Sequence, residues 1–166
     1  MPSTKRGRGK ARRSATPAQE LAVFIGRFEP AIGALLKGAR AVLHRRLPTA
    51  NQLVYDNYNA LAIGFSSTDR VSDVIISLAA YARGVNLYFM YGARLPDPRH
   101  LLKGAGSQGR FTPLESVAAL GHPAVLALIA AAVRQARTPL RRDGRGRLVI
   151  KSVSKKQRPR RPVAAA

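Results

Sequence analysis

The sequence predicts an α+β domain in which N- and C-terminal helices cover one face of about five antiparallel strands, flanked by disordered basic tails. Two observations support this prediction. Apolar residues recur at helical spacing near both ends of the chain, whereas they alternate or form short runs between residues 51 and 114. Positive charge is concentrated at the termini, because fifteen of the 21 excess charges lie in residues 1–16 and 141–166.

The composition limits the class of protein. A chain of 166 residues is long enough for one domain with its own core. The absence of cysteine excludes disulfides and Cys-based zinc or iron–sulfur sites. The sequence has neither a run of about 18 apolar residues nor a secretory h-region, so we expect no membrane span and a cytoplasmic protein. No pattern specifies an oligomeric state.

The N-terminal part begins with a basic tail and continues into two helices. Residues 1–16 carry six Lys/Arg and no acid, so they cannot bury enough surface to order themselves. Thr16-Pro17 is typical of an N-cap followed by the first helical residue. The first helix then shows one apolar face at Leu21, Phe24, Ile25 and Phe28. After Glu29-Pro30, a second helix presents the stripe Ile32, Leu35, Leu36, Ala39, Val42 and Leu43.

The strongest local signal is a β-hairpin over Asp73–Gly92. Two apolar runs, Asp73–Tyr81 and Val85–Tyr91, flank a corner at which Gly84 can supply a positive φ. These strands carry few ionisable side chains. We therefore expect the hairpin to be the scaffold and any function to lie at its margins.

Three further strands and one helix complete the predicted domain, which spans residues 17–140. The strands are Leu53–Asn57, Leu61–Phe65 and Arg110–Leu114, and the helix runs from His122-Pro123 to Thr138-Pro139. Residues 141–166 form the basic C-terminal tail. Within it, residues 148–153 alternate like a short strand, which either adds to the sheet edge or orders only when a partner binds.

Four segments together resemble a known family: LVYDNYNAL, VNLYFMYGARLPDP, LLKGAGSQGRF and RLVIKSVSKKQRPRR. They are similar to the YdhG-like family, a group of unknown function, over roughly Glu20–Val153. The resemblance implies a frataxin-like fold and, by analogy, suggests metal handling. The residues disfavour metal handling, because the first two helices carry only Glu20 and Glu29 among five Lys/Arg. A hard cation requires carboxylate oxygens and would be repelled by this charge.

The glycine-rich loop Lys103–Arg110 is a candidate anion-binding site. Gly104 and Gly106 allow backbone N–H groups to converge, Ser107 adds a hydroxyl donor, and Lys103 and Arg110 add charge. The loop lacks the spacing of a P-loop. The alternative is a flexible turn whose glycines serve only backbone geometry.

A polar and aromatic cluster between the first two strands is the second candidate. Tyr55, Asn57 and Tyr58 could orient a small ligand through their hydroxyl and amide groups. The alternative is an Asn-rich turn beside half-buried tyrosines. Together with the glycine-rich loop, this cluster supports the hypothesis of a module that binds a small anionic metabolite.

Catalysis has no support in the sequence. The three histidines lie in different predicted elements without ligand spacing, and no nucleophile motif or close carboxylate pair is present. We therefore expect no catalytic residue, no metal site and no cofactor.

The positive charge of the two tails favours one function above the others. On this hypothesis the chain is a non-enzymatic binding protein that contacts DNA or RNA phosphate non-specifically. The alternatives are tails that serve only solubility, the anionic-metabolite module and, third, metal handling. No recognition helix or aromatic stacking pair predicts base-specific contacts. The candidate phosphate contacts are Lys5, Arg6, Arg8, Lys10, Arg12, Arg13, Lys151, Lys155, Lys156, Arg158, Arg160 and Arg161.

Overall fold

The structure, a computed structural model, describes residues 13–163. It confirms the α+β class, with three helices packed on a six-stranded mixed sheet. The helices are α1 (Pro17–Gly26), α2 (Pro30–Arg46) and α3 (Pro123–Gln135). The strands are β1 (Asn51–Asp56), β2 (Leu61–Ser66), β3 (Val74–Tyr81), β4 (Gly84–Phe89), β5 (Arg110–Leu114) and β6 (Leu148–Val153). They lie in the order β5-β4-β3-β2-β1-β6.

Each helix begins where the sequence predicts it, at a proline. In α1, Thr16 and Gln19 form a capping box in which each side chain accepts a hydrogen bond from the other residue's backbone N–H. At the start of α3, Nδ1 of His122 accepts from the backbone N–H of Ala124 at 3.2 Å. These caps satisfy backbone N–H groups that the first helical turn leaves without partners.

The predicted hairpin is confirmed as β3 and β4, with Tyr81 paired to Gly84 across a two-residue turn. The expected role of Gly84 is wrong: neither it nor a turn residue has a positive φ, so the turn needs no left-handed residue. Strand alternation directs one set of side chains toward the helices. These side chains form a fully buried core that includes Leu61, Ile63, Phe65, Ile76, Leu78, Leu87 and Phe89.

The expectation of about five antiparallel strands is corrected by β6, which pairs in parallel with β1. After α3, the chain returns to the start of β1, where the N–H of Gly146 donates to the carbonyl of Pro48 at 2.9 Å. Because β6 enters the sheet at the same end as β1, it must run in the same direction. A Cβ at Gly146 would overlap the backbone carbonyl of Ala50, so the approach requires glycine.

The predicted disorder of the C-terminal tail is corrected over residues 147–161. Residues 148–153 add to the sheet edge, and the segment that follows stays hydrogen-bonded to the end of β1. Hydrogen bonds between β6 and β1, together with the buried Arg160, order this segment. Composition alone does not reveal these interactions. Of the N-terminal tail, residues 1–12 lie outside the described residues.

Candidate nucleic-acid interface

The chain beyond β6 is held against the β1–β2 turn by its backbone. The N–H of Ser154 donates to the carbonyl of Asp56, and the N–H of Arg158 donates to the carbonyl of Tyr58, both at 2.8 Å. The side-chain amide of Gln157 also donates to the carbonyl of Asp56 at 3.2 Å. The segment that carries the last cations therefore has a fixed path across the surface.

A buried ion pair anchors this segment. Asp56 is 1% exposed and Arg160 is 6% exposed, and Nη2 of Arg160 lies 2.8 Å from Oδ1 of Asp56. The same Nη2 donates to the carbonyl of Asn57 at 2.6 Å, and Nη1 of Arg27 lies 3.1 Å from Oδ2 of Asp56. The guanidinium of Arg160 also lies 5.7 Å from the ring centroid of Phe28. Arg160 is thus a structural anchor, and we exclude it from the candidate phosphate contacts.

The other cations of the segment remain on the surface. Within residues 141–161, nine Lys/Arg side chains are exposed, and the one acidic residue of this segment, Asp143, is exposed too. We call these nine the basic C-terminal surface: Arg141, Arg142, Arg145, Arg147, Lys151, Lys155, Lys156, Arg158 and Arg161. Two of them contact Asp69, since Arg147 pairs with its carboxylate and Lys151 donates to its carbonyl at 2.8 Å. Exposed cations carried on a hydrogen-bonded segment form a surface that a polyanion can contact at several points.

The other predicted phosphate contacts are placed only in part. Lys5, Arg6, Arg8, Lys10 and Arg12 lie outside the described residues, and Arg13 is exposed just before α1. Arg158 lies over the ring of Tyr58 at 5.6 Å, and Nε of Arg161 donates to the carbonyl of Arg27 at 3.3 Å. These two cations are held in place while remaining exposed.

The side chain of Arg110 is hydrogen-bonded to the backbone of the glycine-rich loop. Nη1 of Arg110 donates to the carbonyl of Gly109 at 2.7 Å, and Nη2 donates to the carbonyl of Gly106 at 3.0 Å. Lys103 extends the sheet by one bridge to Phe111, and its side chain is exposed. Gly104 and Gly106 have positive φ values of 118° and 96°, which explains why both are glycine. The guanidinium of Arg110 therefore holds the loop shut.

One wall of a larger cavity is formed by the same loop. Ser107 and Gln108 line a groove of about 770 Å³ together with Arg70, Arg94 and Arg137. We call this the arginine groove. Its other lining residues are Ser72, Asp73, Tyr91, Gln135 and Thr138.

Asp73 is the one carboxylate among the described residues that line this groove. The hydrogen bond from Thr68 Oγ1, assisted by Thr138 and Arg70, holds the pKa of Asp73 below its ordinary value. Asp73 is therefore ionised at neutral pH and pairs with Arg70 at 3.1 Å. Three arginines against one carboxylate leave the arginine groove positive.

Tyr55, Asn57 and Tyr58 line a different cavity, of about 480 Å³, on the sheet face opposite the helices. Tyr81 and Tyr88 line it too. Burial raises the pKa of Tyr55.

Of the predicted loop residues, Ser107 lines the arginine groove, and Lys103, Gly104, Gly106 and Arg110 line neither cavity. The structure therefore does not bring together the two clusters that the sequence suggested as one ligand site.

Sequence reasoning missed the three groove arginines and two of the tyrosines. Arg70, Arg94 and Arg137 come from separate segments, and no local pattern links them. Tyr81 and Tyr88 had a usable signal, because the period of two along β3 and β4 directs both away from the helix-facing side chains.

Residues 13–163 show neither a metal-binding cluster nor a membrane-spanning helix. This part of the chain has no group of three or more His, Asp or Glu side chains arranged to hold a metal ion. It also has no helix that is both long and apolar enough to cross a membrane.

Comparisons with known proteins give no match: no family model, no curated protein and no solved structure is significantly similar to this chain.

Proposed function

We propose that this is a binding protein that contacts the phosphate backbone of DNA or RNA, without reading base sequence, through the basic C-terminal surface. One observation carries the proposal: nine exposed cations lie on a segment that is anchored to the sheet by β6 and by Arg160. Each phosphate that a cation neutralises releases counterions, and this release favours binding.

The anchoring matters for affinity as well as for position. Cations on a free chain lose conformational entropy when they contact a phosphate, whereas cations on a hydrogen-bonded segment have lost part of it on folding. Lys155, Lys156 and Arg158 follow directly after the Ser154 hydrogen bond and lie within the fixed stretch. The described residues thus present a preformed cation array, and residues 1–12 add further positive charge.

Neutralising part of this surface tests the proposal. The variant Arg142→Gln, Lys155→Gln, Lys156→Gln removes three exposed cations with no ion pair among the described residues. We expect the slope of log affinity against log salt to fall by about 3, and affinity to weaken for all sequences, because each contact carries about one unit of slope. Fluorescence anisotropy with a labelled duplex measures both.

The matched control removes the same charge elsewhere. Lys37→Gln, Arg99→Gln, Arg134→Gln alters three exposed cations on α2, on the loop after β4 and on α3. We expect it to reduce affinity much less. Equal losses in the two variants would mean that net charge, and not the basic C-terminal surface, determines binding.

The arginine groove supports a second candidate function, the binding of a small anionic metabolite. Its volume of about 770 Å³ lies within the range of ligand sites. Three guanidinium groups, the Ser107 hydroxyl and the Gln108 amide provide donors that suit phosphate or carboxylate groups.

Thermal unfolding with pyrophosphate tests this second function. Because a ligand that binds only the folded state raises its stability, we expect pyrophosphate to raise the melting temperature. The rise should be lost in Arg94→Ala, Arg137→Ala and retained in the control Arg99→Ala, Arg134→Ala. An equal rise in both variants would rule out the groove as the binding site.

Membership of the YdhG-like family and a frataxin-like fold also remain proposals. They are supported by the four sequence segments and by the order of two helices, a sheet and a further helix. Metal handling is the least supported function, since α1 and α2 carry so few carboxylates.

A further inference from the structure

Four of the five tyrosines line a single trough on the sheet face opposite the helices. Tyr55 lies on β1, Tyr81 on β3 and Tyr88 on β4, and Tyr58 lies in the β1–β2 turn. We call the cavity that they line, of about 480 Å³, the tyrosine trough. Tyrosines concentrated on one open sheet face form a surface on which flat rings can stack.

The floor of the trough is made of small side chains. Ala62 lies opposite Tyr55 in the β1–β2 ladder, and Ser77 lies opposite Tyr88 in the β3–β4 ladder. Ala79 completes the floor. Three strand spacings separate Tyr55 on β1 from Tyr88 on β4, which is about 14 Å measured across the strands. The trough is therefore open to a planar group.

Charge is arranged around the trough and not within it. Among the described residues that line it, none is Lys, Arg, Asp or Glu. Cations stand at one end, where Arg158 lies over the ring of Tyr58 and where Lys155 follows the lining residue Ser154. On another side, Tyr91 lines the positive arginine groove while its neighbour Met90 lines the trough. An uncharged aromatic floor with a cationic rim complements a strand of neutral bases on an anionic backbone.

Two of the rings keep exposed area, Tyr81 and also Tyr58, although Arg158 lies over the Tyr58 ring. Tyr58 is 49% exposed and Tyr81 is 41% exposed, and Val71, which also lines the trough, is exposed too. The Tyr55 hydroxyl is buried and has no hydrogen-bond partner among the described residues. Aromatic and apolar side chains that are exposed together on one face mark an interaction surface.

We propose that the tyrosine trough binds the unpaired bases of a single-stranded nucleic acid by stacking, while cations on its rim contact the phosphates. The proposal rests on the proposed phosphate-binding function and adds a preference for single strands over duplexes. Stacking on tyrosine tolerates any base, so it needs no sequence-specific hydrogen bonds. A second copy of this chain is a poor occupant, because each copy carries a charge of +21.

The test compares two double variants at the two rings that keep exposed area. Tyr58→Leu, Tyr81→Leu removes both π-faces but keeps apolar side chains, and Tyr58→Phe, Tyr81→Phe keeps the rings. The probes are fluorescein-labelled oligo(dT) of about 10 nucleotides and a duplex of the same length. We expect the leucine pair to bind oligo(dT) at least about tenfold more weakly, the phenylalanine pair to retain most of the affinity, and duplex binding to change less than about twofold.

Intrinsic fluorescence gives a second readout that does not depend on a variant folding. The chain has no tryptophan, so its tyrosines dominate the emission. We expect oligo(dT) to quench this emission and the duplex to quench it much less.

The outcomes separate the two proposals. Stacking is overturned if oligo(dT) causes no quenching and the leucine pair binds oligo(dT) as tightly as the unaltered protein does. If the protein still binds the duplex in that case, phosphate contact stands. If the unaltered protein binds neither probe at about 50 mM salt, the phosphate-binding function fails as well.

Discussion

Replacing Asp56 with alanine is expected to lower the free energy of unfolding by about 3–5 kcal/mol. The substitution leaves the buried guanidinium of Arg160 without its carboxylate, and Nε and Nη1 of Arg160 already have no hydrogen-bond partner among the described residues. An uncompensated buried charge is among the costliest defects in a folded protein. Denaturation by urea measures the loss, and thermal unfolding should show a melting temperature roughly 6–20 °C lower.

Asp143→Ala is the matched control, because it removes the same charge from an exposed position in the same C-terminal region. We expect its effect to stay within about 0.5 kcal/mol. The cycle of Asp56→Ala with Arg160→Met adds a further check. The double variant should lose less stability than the sum of its parts, since it leaves neither charge of the pair buried alone. Equal, small losses for Asp56→Ala and Asp143→Ala would show that the pair does not anchor the segment.

The helices and the antiparallel strands could be predicted from the sequence because their signals are local. Helical spacing, a proline at each helix start and two apolar runs around a short corner all lie within a few residues of the structure that they specify. The strand Arg110–Leu114 is placed with the same bounds in the sequence and in the structure. Gly84 shows the limit of such signals, since its predicted positive φ is absent.

The C-terminal segment could not be predicted from composition, because its order depends on partners far away in the chain. Arg160 meets Asp56 across 104 residues, and β6 adds to an edge strand that lies almost a hundred residues earlier. Ten Lys/Arg among residues 141–166 favour disorder in any local estimate. The segment is ordered nevertheless, because Arg160 pairs with the buried carboxylate of Asp56 and β6 pairs with the edge of β1.

The candidate surfaces differ in the same way, because one depends on residues close in sequence and the others on residues far apart. Residues of the basic C-terminal surface were visible as a charge run, since like charges cluster in sequence. Arg70, Arg94 and Arg137 meet only because β3, β4 and α3 bring their flanking segments to one groove. The same holds for Tyr55 and Tyr88, which the sheet brings to one face.

A change in salt concentration is expected to have the largest effect on nucleic-acid affinity. If the basic surface forms about 6–10 phosphate contacts, affinity for a duplex should fall roughly 10³–10⁵-fold between about 50 and 200 mM salt. The physical reason is counterion release, which depends on the number of neutralised phosphates and not on base sequence. Two duplexes of unrelated sequence should therefore give the same slope.

Fluorescence anisotropy of a labelled duplex, titrated with the full-length protein at several salt concentrations, makes this measurement. We expect tight binding at about 50 mM salt and a steep linear fall of log affinity against log salt. Absence of binding at the lowest salt, or an affinity that does not change with salt, would contradict phosphate recognition by this protein.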